Sequence, residues 1–401
     1  MRTMTCGFLV AFALPVSVMA QTTITVPNGA DLAPYIAAAA PGDTLLLGAR
    51  HPNFTLNKGL HLVGNGTVIE PQQASQLSTV QIPGGQRACL SNLQFPIWAN
   101  LGSSYLWGSE MLIHGDVRLE GCSFSTMYGA MTVSGGNVLL RNCQLYADFG
   151  GDPLLVTGGV CSVIGTTATG NDGLQVYMLG SHDASPGIRQ TGGTLWIAHS
   201  TLLGGDVGDL YGQPVLSGKP ALLVSGGTAF VVDSTLTGGA GTQYMGFPVP
   251  AKSAIQALGG QVGYARCNLF GGAGSPPAPP TTGNATSVPN LLAIQATGTM
   301  NQGSTFQIQA TAGASGQILA IAASLETSVS TNPLAAQPVL GGGTNLIVQT
   351  VAAAPANGSI VTSSLSVPAI PALRGIFVTW QAFQWDSPLV QASPLVGSVV
   401  H

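Results

Sequence analysis

Charge is what this sequence has least of. Lys and Arg number 11 and Asp and Glu 15 in 401 residues, 6% of the chain, against about a quarter in an average soluble protein. Only three lysines occur, Lys58, Lys219 and Lys252. So few ions argue against coiled coils, whose solvated faces carry alternating charges. A net charge of −4 leaves no cationic surplus to neutralise phosphates, so no nucleic-acid partner is expected. Aromatic residues are also only 6% of the chain. No segment approaches about 18 uninterrupted apolar residues, so no membrane span is expected. The cysteines show neither CxxC nor Cys/His spacing of a zinc site.

What is present points to β-structure. The 55 glycines and 26 prolines demand many turns, and 45% hydrophobic residues with little charge can bury a sizeable core. Residues 1–20 read as a secretory signal: Arg2 as the basic region, Phe8 to Val18 as the apolar stretch, Val18-Met19-Ala20 as the cleavage pattern. The chain is therefore expected to be secreted or extracellular, in the medium or associated with the cell surface. Cys89, Cys122, Cys143, Cys161 and Cys267 then remain, an odd number that leaves at least one thiol unpaired in a monomer. Asn-x-Ser/Thr sequons stand at Asn53, Asn65, Asn284 and Asn357.

A double-glycine turn recurs along the first two thirds of the chain. It opens GGNVLLRNCQL at Gly135, GGVCSVIGTTA at Gly158, GGTLWIAHSTL at Gly192, GGTAFVVDSTL at Gly226 and GGQVGYARCNL at Gly259. Weaker copies start at His114 and Gly84. Counted from the second turn residue, offset +2 holds Val117, Val138, Cys161, Leu195, Ala229 and Val262, and offset +4 holds Leu119, Leu140, Val163, Ile197, Val231 and Tyr264. Offset +7 is small or polar throughout (Cys122, Cys143, Thr166, Ser200, Ser234, Cys267), and +9 is apolar. Offset −5 is apolar too, from Met131 and Leu154 to Ile188, Leu222 and Ile255. Three short alternating segments per repeat, with like residues recurring once per repeat, predict coils of three strands stacking in parallel. Cys122 and Cys143 share an inward column, where a stacked ladder with Thr166, Ser200 and Ser234 fits better than a disulfide between parallel side chains.

The N-terminal part, ITVPNGADLAPYIAAAAPGDTLLLGARHPNFTLNKGLHLVGNG from Ile24, adds a short helix over the first coil, with Asp31 as its N-cap and Leu32 and Ile36 on one face. With that helix, the APGDTLLL segment and the LVGNG turn, the chain resembles the right-handed parallel β-helices of the pectate-lyase-like, carbohydrate-binding and sugar-hydrolysing superfamily. The resemblance covers about Ile24 to Gly272. It implies a fold more than an activity, since lyases, hydrolases, esterases, adhesins and inert surface proteins share it. The adjacent aspartates and Gly-His-Gly of polygalacturonase-like hydrolases are missing, as is the basic stripe of pectate lyases.

The expected organisation is all-β: a signal peptide at 1–20, a right-handed parallel β-helix with an N-terminal cap helix at 21–274, a Pro-rich linker at 275–289, and an antiparallel β-sandwich accessory domain at 290–401. The last part has only Glu326, Arg374 and Asp386 as charged residues, too few for a catalytic centre. An outward apolar strip on the later coils (Ile164, Trp196, Ala198, Phe230, Val232) would be sticky if bare. Intramolecular contact of the C-terminal sandwich with this strip, at Trp196 and Phe230, is the expected cover.

Chemistry is expected where three coils lengthen, in insertions that leave from one edge. Asp172 and Asp206 share offset +13, Tyr177 and Tyr211 share +18, and Tyr244 lies at +17; Lys219 and Lys252 share offset −8 before their turns. Stacked Tyr177, Tyr211 and Tyr244 with Asp206 and Asp209 would form a platform for sugar rings. Alternatively, Asp148, Asp152, Asp172 and Asp206 would ligate Ca²⁺ while Lys219, Lys252 or Arg189 abstracts a proton beside a uronate carboxylate. The plainer reading is that Asp beside Gly is turn chemistry, copied with the repeat. Three functions follow, in this order: glycan binding or adhesion through the loop edge, a polysaccharide lyase or glycoside hydrolase, and a purely structural surface solenoid.

Overall fold

A computed structural model describes residues 21–399 apart from internal stretches, the longest being 72–76, 100–105, 208–216, 332–337, 341–345 and 371–376. The signal-like residues 1–20 lie outside the described residues. The chain is essentially all-β, with one six-residue helix among the described residues, at Ala33–Ala38. Up to residue 287 most strands form one large sheet in which each pairs in parallel with its counterpart one repeat later, while Trp98–Ala99 with Leu106–Trp107, Leu174–Val176 with Gly180–His182, and Thr242–Tyr244 with Phe247–Val249 form separate antiparallel hairpins. Three ladders result. The first contains Leu154–Val156, Ile188–Gln190 and Leu222–Val224. The second contains Val160–Ile164, Thr194–Ala198 and Thr228–Val232. The third contains Gln144–Ala147, Thr167–Thr169, Thr201–Leu203 and Thr235–Thr237.

The columns read from the sequence are the core. Val138, Cys161, Leu195 and Ala229 stack in register, as do Leu140, Val163, Ile197 and Val231, and all of these are fully buried. Earlier coils add Phe95 and Phe124, stacked at 4.5 Å between ring centroids. The double-glycine turns repeat because the backbones touch there. Gly193 has a φ of 69°, and a Cβ on it would collide with the carbonyl of Gly159 one coil before; only glycine avoids both penalties.

The second corner, between the second and third strands, is held by a relay of backbone and hydroxyl groups. Offset +6 is left-handed in every coil: Gly121 and Gly165, but also Asn142 (φ 51°), His199 (50°), Asp233 (47°) and Arg266 (49°). This turn aims the next N–H away from any carbonyl partner, and the small residues of offset +7 receive it. The Cys143 N–H donates to Thr166 Oγ1, the Thr166 N–H to Ser200 Oγ and the Ser200 N–H to Ser234 Oγ, at 3.1–3.2 Å. The hydroxyls and thiols donate in turn to carbonyls, as Ser200 Oγ does to Ala198 O at 2.8 Å. All five described cysteines are free thiols, and burial pushes Cys161 up to about 12.

Two local expectations are corrected. The helix is N-capped in backbone terms by Leu32, not Asp31, although Asp31 Oδ1 accepts the Ala33 N–H at 3.0 Å. The Pro41-side end of this segment is fixed by Asp43, which accepts the N–H groups of Thr22 and Ala40 at 2.8 Å. Within the stretch read as a Pro-rich linker, Thr281–Ser287 is a strand paired in parallel with Ile255–Ala265. Gly283, at φ 76°, takes the turn-glycine role, and Ala285 pairs with Val262 of offset +2. The first run of prolines ends at Pro280, and the Thr-rich residues up to Ser287 have strand propensity and a waiting edge.

After residue 290 the sheets are antiparallel. One consists of Ala293–Thr297, Thr305–Thr311 and Ile360–Ser366. The other is built on Ile318–Ser324 and Phe377–Asp386. The two share a core in which Phe306 and Trp380 meet at 5.2 Å. The same core includes Leu139, Ile164, Ala198, Val232 and Ala265 from the outer side of the second ladder, with Phe230 packed against it. Trp196 is 2% exposed and stacks on Phe230 at 4.4 Å. The apolar strip is therefore covered from within the chain. Arg141 crosses this junction: its guanidinium pairs with Glu120 at 2.6 Å, donates to Ala296 O at 3.0 Å and sits over the Phe306 ring.

Replacing Trp196 by Ala is expected to cost about 3–5 kcal/mol, read by chemical denaturation, because the cavity opens between two packed units. An acid-labile step is expected from His61. Burial, with Arg87 nearby, pulls its imidazole from 6.5 down to about 4. Between those values the unfolded chain holds a proton the folded chain lacks, so stability is present above 6.5 and falls as pH drops towards 4. The loss is about 3 kcal/mol, and it should vanish from the pH profile of His61→Gln.

Candidate functional site

The first and third ladders each carry a groove on the outer face. On the third ladder, alternation turns Phe124, Leu145 and Ala168 inward and Ser123, Ser125, Gln144, Tyr146, Thr167 and Thr169 outward. These outward residues line an open groove of about 310 Å³. Of the two aromatic residues in its lining, Phe124 is buried and Tyr146 is 39% exposed. Burial, and then the carboxylates of Asp148 and Asp172, push its phenol above the ordinary range. Those two aspartates stand where the third strand gives way to the loop edge.

The aspartates of that edge are engaged by backbone. Asp172 Oδ1 accepts the Asp206 N–H at 2.8 Å, and Asp206 Oδ1 accepts the Ala240 N–H at 2.6 Å. Each carboxylate thus ties its coil to the next, while both residues remain exposed. Among the described residues, no three His, Cys, Asp or Glu side chains are gathered as a metal site would need.

The loop bases are stitched by main chain. The Lys219 N–H donates to Gly205 O at 2.9 Å, and the Gly239 N–H donates to Lys219 O at 2.8 Å. Lys252 repeats the pattern with Gly239 and Gly272, at 3.0 and 2.8 Å. Tyr177, Tyr211 and Asp209 lie outside the described residues, as does the side chain of Tyr244, which ends the strand Thr242–Tyr244.

The other groove, about 160 Å³, lies on the first ladder between Leu77, Glu110, Leu112, Met131, Thr132, Asp152 and Leu155. Burial raises the Glu110 carboxyl above the usual carboxylate range. Asp152 grips Arg189 through two hydrogen bonds, Nε at 2.7 Å and Nη2 at 3.1 Å. Neither groove is lined by Lys219, Lys252 or Arg189. Gln144 and Tyr146 were not singled out by sequence reasoning. Their signal was available in the outward columns +8 and +10, where an aromatic interrupts a run of hydroxyls.

Comparison with models of protein families, with curated proteins and with solved structures finds no match. Function must therefore be read from the grooves themselves.

Asp206 offers a direct check on its two roles. Asp206→Ala should lose about 1 kcal/mol with or without Ca²⁺, and Asp206→Asn, which keeps an acceptor oxygen, should lose much less. A loss confined to Ca²⁺-containing buffer in thermal denaturation would instead assign the residue to a metal.

Proposed function

We propose that this chain is an exported surface protein that binds glycan along the outer face of its third ladder. The carrying observation is the exposed Tyr146 ring in a groove walled by Ser123, Ser125, Gln144, Thr167 and Thr169. A sugar ring has an apolar face and an equatorial rim of hydroxyls. An aromatic surface flanked by hydroxyl and amide groups complements both. The tyrosine-bearing loops at 177, 211 and 244 leave from the same edge and would extend the surface along the stack. On this reading the fold is a right-handed parallel β-helix of the pectate-lyase-like kind, and the C-terminal sheets are a packing module.

The groove's chemistry favours a neutral polymer. Its lining carries no cation, and Asp148 and Asp172 beside Tyr146 would repel a uronate. Lyase chemistry needs a basic group free to meet a substrate proton, whereas Arg189 is held in a two-point pair by Asp152.

Affinity electrophoresis of the full chain in gels cast with neutral or uronate polysaccharides separates these readings. Retardation by a neutral polymer is expected, weakened about tenfold in Tyr146→Ala by loss of the ring contact. Retardation by uronate polymers alone, or binding indifferent to Tyr146, would overturn the assignment.

A further inference from the structure

The outward columns of the third ladder run farther than its groove. They stack in register from the strand Ser123–Thr126 to the strand Asn268–Phe270, with no shift or bulge at any of the five pairings. One column reads Ser123, Gln144, Thr167, Thr201, Thr235 and Asn268, all hydrogen-bonding and none charged. The other, two residues later on each strand, reads Ser125, Tyr146, Thr169, Leu203, Thr237 and Phe270. In it small hydroxyl residues alternate strictly with large apolar ones from each coil to the next. Every member of both columns is at least partly exposed, Tyr146 at 39% and Phe270 at 55%.

Stacking gives no reason for that alternation. Threonine meets the needs of an outward strand position, packing its methyl against its neighbours and keeping its hydroxyl in water. The first column uses it at Thr167, Thr201 and Thr235 in succession. Tyr146, Leu203 and Phe270 instead hold apolar surface partly in solvent, at a cost that burial against a ligand would recover. Neighbouring strands are spaced by about 4.8 Å, so platforms on every second strand recur at about 9.6 Å along the stack.

We propose that this column is a track for one extended strand of a neutral β-1,4-linked glycan, lying across the strands with its axis along the stack. The inference rests on the glycan reading of the same face and extends it from one ring to a polymer. In a β-1,4-linked chain of pyranose rings both backbone bonds are equatorial, so the chain runs straight and each ring is turned over relative to the last. The same face therefore recurs at every second ring, and one ring with its bridging oxygen is about as long as one strand spacing. Tyr146, Leu203 and Phe270 meet the rings that turn the same face to the sheet, and Thr169 and Thr237 meet the rings between. The hydroxyls and amides of the first column lie alongside, where the equatorial rim can bond to them. A polymer that coils, such as an α-1,4-linked glucan, leaves the column after one platform.

Affinity electrophoresis of the full chain tests this, with hydroxyethyl cellulose as the β-1,4-linked probe and amylopectin as the α-1,4-linked one. Retardation by hydroxyethyl cellulose is expected. It should weaken about tenfold in Phe270→Ala and about threefold in Leu203→Ala, while circular dichroism stays unchanged. The double variant Leu203→Thr, Thr237→Leu keeps the composition but moves the middle platform by one coil, and should weaken binding as much as Leu203→Ala does. Binding that is lost in Tyr146→Ala but indifferent to changes at Leu203 and Phe270 would overturn the track and leave the single-ring reading standing. Equal retardation by amylopectin would overturn it too, as would no retardation by hydroxyethyl cellulose, whatever other neutral polymers bind.

Discussion

Every other feature of the parallel sheet depends on one constraint: at each corner the backbone groups of one coil must be satisfied by the coil beside it. Parallel strands supply evenly spaced bonds along straight segments, but a left-handed residue at offset +6 turns the following N–H out of that ladder. The hydroxyls of Thr166, Ser200 and Ser234 take these donors, each one coil further on. A larger side chain at offset +7 would not fit the corner, and one without an acceptor would leave a buried N–H unpaired. Close stacking at the double-glycine turns follows from the same geometry, because the corners hold the coils in register.

That register also decides which outer face remains available. On the second ladder the outward positions change character along the stack. Early coils carry Arg118 and Arg141, nearly bare of solvent and paired with Asp116 and Glu120. Later coils carry Ile164, Trp196, Ala198 and Val232. The C-terminal sheets cover both regions, with Arg141 contributing ion pair, carbonyl contact and ring contact at once. Buried ion pairs contribute little net stability but are costly to break singly, so they fix where the sheets sit more than how tightly they hold. The hydroxyl-rich outer face of the third ladder carries the groove around Tyr146.

Much of this was legible in the residues. The apolar columns at −5, +2, +4 and +9 and the small polar column at +7 appear by simple alignment, and so does the sticky strip at Trp196 and Phe230. Less visible was the offset +6 column. Gly121, Asn142 and Gly165 carry a recognisable left-handed signature, but His199, Asp233 and Arg266 accept the same backbone under tertiary constraint, and Arg266 is then tied to Asp233 at 2.7 and 3.1 Å. The rung at Thr281–Ser287 was hidden because its turn has a single glycine and prolines precede it. The groove around Tyr146 could not be read because a groove depends on which outward columns lie next to each other, and a repeat alignment orders residues along a column only. Loop geometry was no easier: Asp172 and Asp206 align perfectly in sequence, yet the bonds their carboxylates make run from one coil to the next.

Those loop bases also explain how one parallel sheet carries insertions without losing its register. Asn171 and Ser185, Gly205 and Lys219, and Gly239 and Lys252 close each excursion with backbone bonds before the chain rejoins the first ladder. Asp172 and Asp206 then bind successive bases to each other. Main chain adds further bonds of the same kind just past the base, from the Gly173 N–H to Asp206 O at 2.9 Å and from the Gly241 N–H to Ala273 O at 2.7 Å. Structural demand falls on the glycines, aspartates and lysine backbones at the base. The shared offsets of the aspartates are thus accounted for by stacking alone.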